Sequence, residues 1–248
     1  MIRKSADNQE ERTIALVLYP GLTALDLIGP LQVLKVLERF TPQYRIVVVG
    51  ERIEPMDTDV HVQLIPDKTF DEVRHPYAIV VPGGRMATIR AMSDPVMREY
   101  VRTAAASAEI VASVCTGSLI LASLGLLEGR RATTNWFFYK VLESFGATYL
   151  RERWVEDGKF IMSAGVSAGI DMGLYLVSKL TDEATARRVQ LAMDYDPQPP
   201  FGGIDWEHVD LAPRVLRGGI SLASPVLTAK PKRLTELDRR VPRPVRVT

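Results

Sequence analysis

Residues 110–127 read IVASVCTGSLILASLGLL, and the reading of this stretch decides the fold. Ile110 to Val114 form an apolar run of strand length that ends at Cys115, the chain's single cysteine. Thr116 and Gly117 follow at once, and then a run of small and aliphatic residues that suits a buried helix. A strand that turns sharply into a helix at a nucleophile leaves that side chain exposed at the turn. It also aims the first free N–H groups of the helix at whatever the side chain attacks. A thiol placed there is expected to feel the helix N-terminal field and to ionise more readily. The same residues also read as core, because a lone cysteine between apolar runs is a small hydrophobe.

Upstream, Thr13–Tyr19 (TIALVLY) predicts a buried strand that Pro20 and Gly21 stop. Pro30 is placed in the first turn of a helix that runs to about Phe40, with Leu27, Leu31, Leu34 and Leu37 on one stripe. Asp26 falls at the loop-to-helix junction just past the strand's carboxyl end. It reads either as a cap or first-turn acid or as an acid aimed into a site. Tyr44–Gly50 predicts a second strand, and the alternation of Val60–Ile65 a third, with His61 and Gln63 on its outer face. Tyr77–Val81 runs into Pro82-Gly83-Gly84-Arg85. The glycine pair there either presents backbone N–H groups or simply makes the turn. A helix is predicted over about Pro95–Ala106, opened by Ser93-Asp94.

Downstream of the cysteine helix, which should close near Gly125–Gly129, RRATTNW offers Thr133 and Thr134 as strand residues or polar site walls. Trp136–Phe145 predicts a short helix ending at Gly146. The Asp157-Gly158 step predicts a hairpin within Trp154–Ser163. Gly165–Ala168 is a turn of small residues, Ile170–Leu180 an apolar helix, and Thr181-Asp182-Glu183 opens another that runs to about Tyr195. Asp196–Gly203 (DPQPPFGG) is extended, and Ala229–Thr248 is a basic, proline-punctuated tail, read as a solvated or oligomer-clasping arm.

Strands alternating with helices across glycine-rich turns describe an α/β fold, a parallel sheet covered on both faces. In such sheets the site lies outside the carboxyl ends of the strands. Asp26, the Gly83-Gly84 pair and Cys115 each follow such an end, so three candidate polar elements converge on one edge.

Composition excludes several classes. With 46% hydrophobic and 25% charged residues over 248 positions, the chain is long and apolar enough for a core without staples. A formal net charge of +1 provides no field for nucleic acid. No apolar run reaches the roughly 18–20 residues of a membrane span, and Met1–Arg12 lacks a signal core. One cysteine makes no internal disulfide, which fits a cytoplasmic location. His61, His75 and His208 are too scattered for a zinc site, and no phosphate-binding loop is present. We therefore expect no metal and no cofactor, a small-molecule partner, and neither nucleic acid nor membrane. The domain plan is a leader over 1–12, one α/β domain over 13–204, and a C-terminal extension over 205–248.

Taken together, LVLYPGLTALDLIGPLQVL, VVPGG, SVCTGSLILASLGLLEGRRATTNW, SAGVSAGIDMGLYL and YDPQPPF resemble the ThiJ/PfpI superfamily of glutamine amidotransferase-like proteins. Within it they are most similar to the isocyanide hydratases, over about Thr13 to Phe201. The resemblance implies a flavodoxin-like three-layer sandwich with a nucleophile elbow, and a homodimer. It implies a nucleophilic Cys115 with the Asp26 carboxyl against it, and backbone donors from Gly84, Arg85 and Thr116 around the reacting centre. Gly83, Thr134, Trp136 and Ile170 join the candidate substrate-binding set. Two features set this chain apart from other branches: Thr116 stands where the protease-like branch has His, and Asp26 where the deglycase-like branch has Glu. Asn135 also stands where many relatives have His, which removes an ionisable group.

The implied reaction adds water to an isocyanide through a Cys115 thioimidate and gives an N-substituted formamide. Two other readings accompany it. One is a non-enzymatic sensor domain like those of AraC-type regulators, against which stands the short stretch, about 45 residues after Pro200, too few for a two-motif DNA-binding domain. The other is a redox- or carbonyl-responsive cysteine protein.

Overall fold

A computed structural model describes residues 11–206. Strand β1 (Arg12–Val17) leads into α1 (Ala24–Phe40) and β2 (Tyr44–Gly50). The short strands β3 (Met56–Asp57), β4 (Gln63–Leu64) and β5 (Lys68–Thr69) precede β6 (Ala78–Val81). Helices α2 (Met86–Ser93) and α3 (Pro95–Ser107) follow, then β7 (Ile110–Val114), α4 (Gly117–Ser123) and β8 (Arg131–Ala132). A 3-10 turn (Trp136–Phe138), α5 (Tyr139–Ser144) and β9 (Thr148–Tyr149) come next. The hairpin β10 (Trp154–Asp157) and β11 (Phe160–Ser163), then α6 (Ala168–Leu180) and α7 (Glu183–Ala192), complete the series.

Seven strands form one sheet in the order β10-β11-β7-β6-β1-β2-β5. All pairings in it are parallel except β10 with β11. The continuous aliphatic runs explain this. Ile14–Val17 and Ala78–Val81 are wholly buried, as a strand covered on both faces must be. Helices α1, α6 and α7 pack together as one layer, and α2 packs with α3 and α4 as another. The architecture is the expected flavodoxin-like α/β sandwich.

Four local expectations are corrected. Pro30 is not in the first turn: α1 begins at Ala24 and carries the proline inside it. An interior proline removes the hydrogen bond to the carbonyl four residues back, here that of Asp26, at a cost of about 3 kcal/mol. Pro30 is buried against Gly169 and Gly173 of α6, and that packing offsets the loss. The Val60–Ile65 strand shrinks to Gln63–Leu64. Val60 and Val62 are more than half exposed and His61 has φ 60°, a turn geometry that alternation cannot reveal. The helix after Cys115 stops at Ser123, with Gly125 at φ 77° in the following turn. And an unforeseen helix, α2, follows the glycine pair. Elsewhere Asp94 caps α3, accepting from Val96 and Met97 N–H, and Asp182 caps α7 through Thr185 N–H.

In the sheet β1 lies between β2, reached through α1, and β6, reached on its other side. The chain therefore reverses direction across the sheet at β1, and the loops after β1, β6 and β7 leave the same edge of the sheet at that switch point, where such folds bind ligands.

Residues 11–197 form one unit. A second begins at Gln198 and is described as far as Trp206, a run without helix or strand. The expected leader and C-terminal extension, with its basic tail, lie outside the described residues but for the two innermost positions of each. No helix among the described residues is long and apolar enough to cross a membrane.

Candidate active site

Cys115 sits at the end of β7 with φ 57°, the left-handed region that a non-glycine residue adopts at a cost of roughly 1–3 kcal/mol. Four hydrogen bonds hold it there. Its N–H donates to the carbonyls of Ser163 (3.1 Å) and Ala164 (2.8 Å) at the end of β11. Its own carbonyl accepts the hydroxyls of Ser118 (3.1 Å) and Thr134 (3.0 Å). The strand end, the first turn of α4 and the RRATTNW segment thus fix one residue between them.

Two glycines make this possible by lacking a Cβ. At Gly117 a Cβ would lie 2.0 Å from the Val81 carbonyl oxygen. At Gly83 it would lie 2.6 Å from both Thr116 N and Oγ1 and 2.8 Å from Asp26 Oδ2. The β6 loop and the cysteine elbow are therefore pressed backbone to backbone.

Asp26 is the third residue of α1, and it caps nothing. Asp59, from the loop between β3 and β4, takes that role by accepting the Ala24 N–H at 3.0 Å. The freed Asp26 side chain is wholly buried and turns toward the β6 loop and the cysteine elbow. Its Oδ2 accepts the Gly83 N–H at 3.1 Å. Its Oδ1 has no hydrogen-bond partner among the described residues; besides the Gly83 N–H, the Cys115 thiol and then Asp59 act on the carboxyl.

Electrostatics here is ruled by burial without a counter-charge. Burial pushes the Asp26 carboxyl up to about 7, with the thiol and the Gly83 N–H pulling it partly back. Burial, and then the Asp26 charge, push the Cys115 thiol up, while the Thr116 backbone N–H on the sulfur pulls it down. The expected easing of thiol ionisation by the helix field is thus corrected. Helix α4 has only seven residues and Cys115 is 1% exposed, so desolvation wins. The two groups titrate as a pair.

The remaining candidates fall into two groups. Thr116, Gly84 and Arg85 meet behind the elbow, where the Gly84 and Arg85 N–H groups both donate to Thr116 Oγ1 at 3.2 Å. These two amides are thus engaged by a hydroxyl, and the Thr116 N–H is the one on the sulfur. Thr134 braces the elbow's carbonyl. Trp136 lies in the 3-10 turn, half-buried and edge-on to Phe137. Ile170, also half-buried, packs on Gly29, one turn along α1 from Asp26. Asn135 caps the 3-10 turn by accepting the Phe137 N–H at 3.1 Å, and its amide abuts Gly165.

Sequence reasoning missed three contributors. Tyr19 stands at the same sheet edge, just past β1, and the edge rule that found Asp26 applies to it equally. Thr88, on the unforeseen α2, and Asp59 carried no signal, since each acts across a tertiary contact. Among the described residues no group of three or more His, Cys, Asp or Glu side chains is placed to hold a metal ion. A cleft of about 340 Å³, lined by Phe70, Arg74, Val96 and Tyr100 among others, contains none of the site residues.

The chain is 39% identical over 188 residues to the isonitrile hydratase of Pseudomonas putida, covering 76% of this chain and 80% of that one. It is 28% identical to the HTH-type transcriptional regulator CdhR of Pseudomonas aeruginosa, over 76% of this chain and 54% of the regulator. Among solved structures, a ThiJ/PfpI family protein from Pseudomonas syringae superposes with TM-score 0.77 at 34% identity, covering 88% of each chain. Drosophila melanogaster DJ-1beta shares the fold, with TM-score 0.68 at 19% identity over 75% of this chain and all of that one. The model of the DJ-1/PfpI family matches residues 12–179, and the chain belongs to that family.

Proposed function

We propose that this protein hydrates isocyanides to N-substituted formamides, with Cys115 as nucleophile and Asp26 as the acid and base beside it. The observation that carries the reading is the buried Asp26–Cys115 pair, a carboxyl and a thiol that no cation among the described residues neutralises. The similarity to isonitrile hydratase supports it. So does access: the electrophilic carbon of R–N≡C sits at the tip of a slim linear group, which suits a sulfur this deeply set.

The chemistry balances on these two groups. The Asp26 carboxylate takes the thiol proton as the sulfur bonds to the terminal carbon, then returns that proton to the same carbon, giving the thioimidate Cys–S–CH=N–R. Water adds to the thioimidate carbon, and Asp26 passes one of its protons to the nitrogen. The tetrahedral adduct then expels sulfur, with the hydroxyl proton travelling through Asp26 back to the thiolate. One water is consumed, O=CH–NH–R leaves, and both side chains are restored. The Thr116 N–H steadies negative sulfur at both ends of the cycle.

The test is formation of formamide from a panel of alkyl and aryl isocyanides. We expect product with the parent chain, none above background with Cys115→Ala, and a fall of at least about 100-fold with Asp26→Asn. Because the carboxylate is the base, kcat/KM should rise with pH through about 7, the value at which Asp26 ionises. No product from any member of the panel sinks the reading. We further place the protein in the cytoplasm as a homodimer, which sedimentation at equilibrium checks. The partial match to CdhR favours a second reading, a ligand- or redox-sensing domain. Selective peroxide oxidation of Cys115 without turnover would speak for it.

A further inference from the structure

The hydroxyls behind the elbow can be oriented by counting. Thr116 Oγ1 has two lone pairs and one proton. Both lone pairs are taken, by the Gly84 and Arg85 N–H groups at 3.2 Å each. At the 2.7 Å contact with Thr88 Oγ1, Thr116 must therefore be the donor. The proton of Thr88 is left for Tyr19 Oη, 3.4 Å away. The Tyr19 hydroxyl in turn donates to the Pro82 carbonyl at 3.0 Å. Every proton in the row points one way, from the loop amides toward Pro82. Thr116 and Thr88 are 0% exposed and Tyr19 6%, so water does not compete for these bonds.

The Thr116 hydroxyl has a second acceptor within reach, the Cys115 sulfur, which its side chain also contacts. One proton faces two acceptors. We propose that Thr88 and Tyr19 are positioning residues that draw the Thr116 hydroxyl proton away from the Cys115 sulfur and so keep the resting cysteine a thiol. This rests on Cys115 being the reacting group.

Other charges around the sulfur are few. Asp26 from α1 acts on it directly, Asp59 from the β3–β4 loop acts on Asp26, and Asp26 and Cys115 both raise the Tyr19 hydroxyl in the loop after β1. Helix α4 (GSLILAS) carries no ionisable side chain.

The experiment is the pH dependence of alkylation by iodoacetamide, which reports Cys115 alone because the chain has one cysteine. Cys115→Ala is the blank. Thr88→Val keeps the shape and removes the hydroxyl, leaving the sulfur as the acceptor for Thr116. We expect its thiolate fraction at neutral pH to rise about tenfold, and its alkylation rate about threefold once the lower basicity of the thiolate is counted. Tyr19→Phe should move the profile in the same direction by less. Thr88→Ser, which keeps the hydroxyl, should match the parent. A folded Thr88→Val with an unchanged or slower rate overturns the proposal. So does a change in Thr88→Ser as large as that in Thr88→Val, since the cause is then methyl packing. Should Thr88→Val not fold, Tyr19→Phe decides by the same measure. Alkylation needs no turnover, so this result and the isocyanide assay can fail independently.

Discussion

Asp26 and Asp157 each accept one backbone N–H, from Gly83 and from Arg131, at the same 3.1 Å, yet their carboxyls are pushed in opposite directions. Asp157 stands at the turn of the β10–β11 hairpin beside two guanidiniums, Arg130 at 3.2 Å and Arg131 at 3.6 Å. The Arg131 N–H, and then the Arg130 side chain, hold it below the usual carboxylate range. No cation among the described residues acts on Asp26, and burial lifts it to about 7. The backbone hydrogen bond lowers the carboxyl in both places, so it is not what makes the two differ. What differs is whether charge is neutralised and solvated, and that decides which carboxyl is a structural brace and which can move a proton.

The two regions also differ in how tightly their glycines are enclosed, and this gives the largest expected effect. Gly117→Ala would drive a Cβ to 2.0 Å from the Val81 carbonyl, a backbone atom with no freedom to retreat. We expect a loss of more than about 3 kcal/mol or outright failure to fold, read by urea unfolding. A Gly117→Ala protein of parental stability would mean that the elbow is not pressed against the β6 loop.

Next comes the pH dependence of stability. Asp26 binds its proton near 3.8 when unfolded and near 7 when folded. Between those values the folded state holds more protons than the unfolded one, so this group's contribution falls as pH rises. The loss is complete above about 7 and amounts to on the order of 4 kcal/mol. Asp26→Asn removes it. The variant should therefore gain on the parent in urea midpoint between pH 4 and 7.5, with no further gain above. A constant difference across that window would place Asp26 in a polar, hydrated setting like that of Asp157.

How far the sequence reveals this contrast depends on the range of the signal. Strands of the sheet were legible because burial on both faces writes itself as uninterrupted aliphatic runs, in TIALVLY and IVASV alike. The β10–β11 hairpin was legible because Asp157-Gly158 needs a positive φ, found at Gly158 (62°). Convergence of the loops carrying Asp26, Gly83 and Cys115 followed from the sheet-edge rule. What stayed hidden was held by tertiary contact. Pro30 looked like a helix start because the α6 surface that accommodates it is some 140 residues away in the chain. Thr88 and Tyr19 are ordinary residues until Thr116 is placed between the loop amides and Cys115. The sign of the thiol's shift was missed for a related reason: an elbow motif specifies the helix N-terminus but not the depth of burial.

A smaller effect is expected at the hairpin. A Cβ at Gly158 would meet only Arg130 Nη1 at 3.6 Å, so the cost of Gly158→Ala is confined to its φ of 62°. That is about 1–2 kcal/mol, with no loss of Cys115 reactivity. A cost matching that of Gly117→Ala would show the turn to be packed and not merely bent.

The smallest effect is that of Arg130→Ala. The guanidinium pairs with Asp157 and lies over the Phe160 ring at 4.7 Å, but its side chain is 40% exposed. An exposed ion pair with one cation–π contact contributes about 1 kcal/mol. Salt screens it, so the variant's deficit in urea midpoint should shrink at high ionic strength. The sign of its pH dependence is opposite to that of Asp26. Asp157 has its carboxyl lowered on folding, so the stability it confers is present above the ordinary carboxylate value and is lost as pH falls through its folded value. The parent and Arg130→Ala should therefore converge on acidification, while the parent and Asp26→Asn diverge on going alkaline. If both pairs instead respond to salt and pH alike, then solvent reaches Asp26 as it reaches Asp157, and the carboxyl beside Cys115 loses its claim to be the proton carrier.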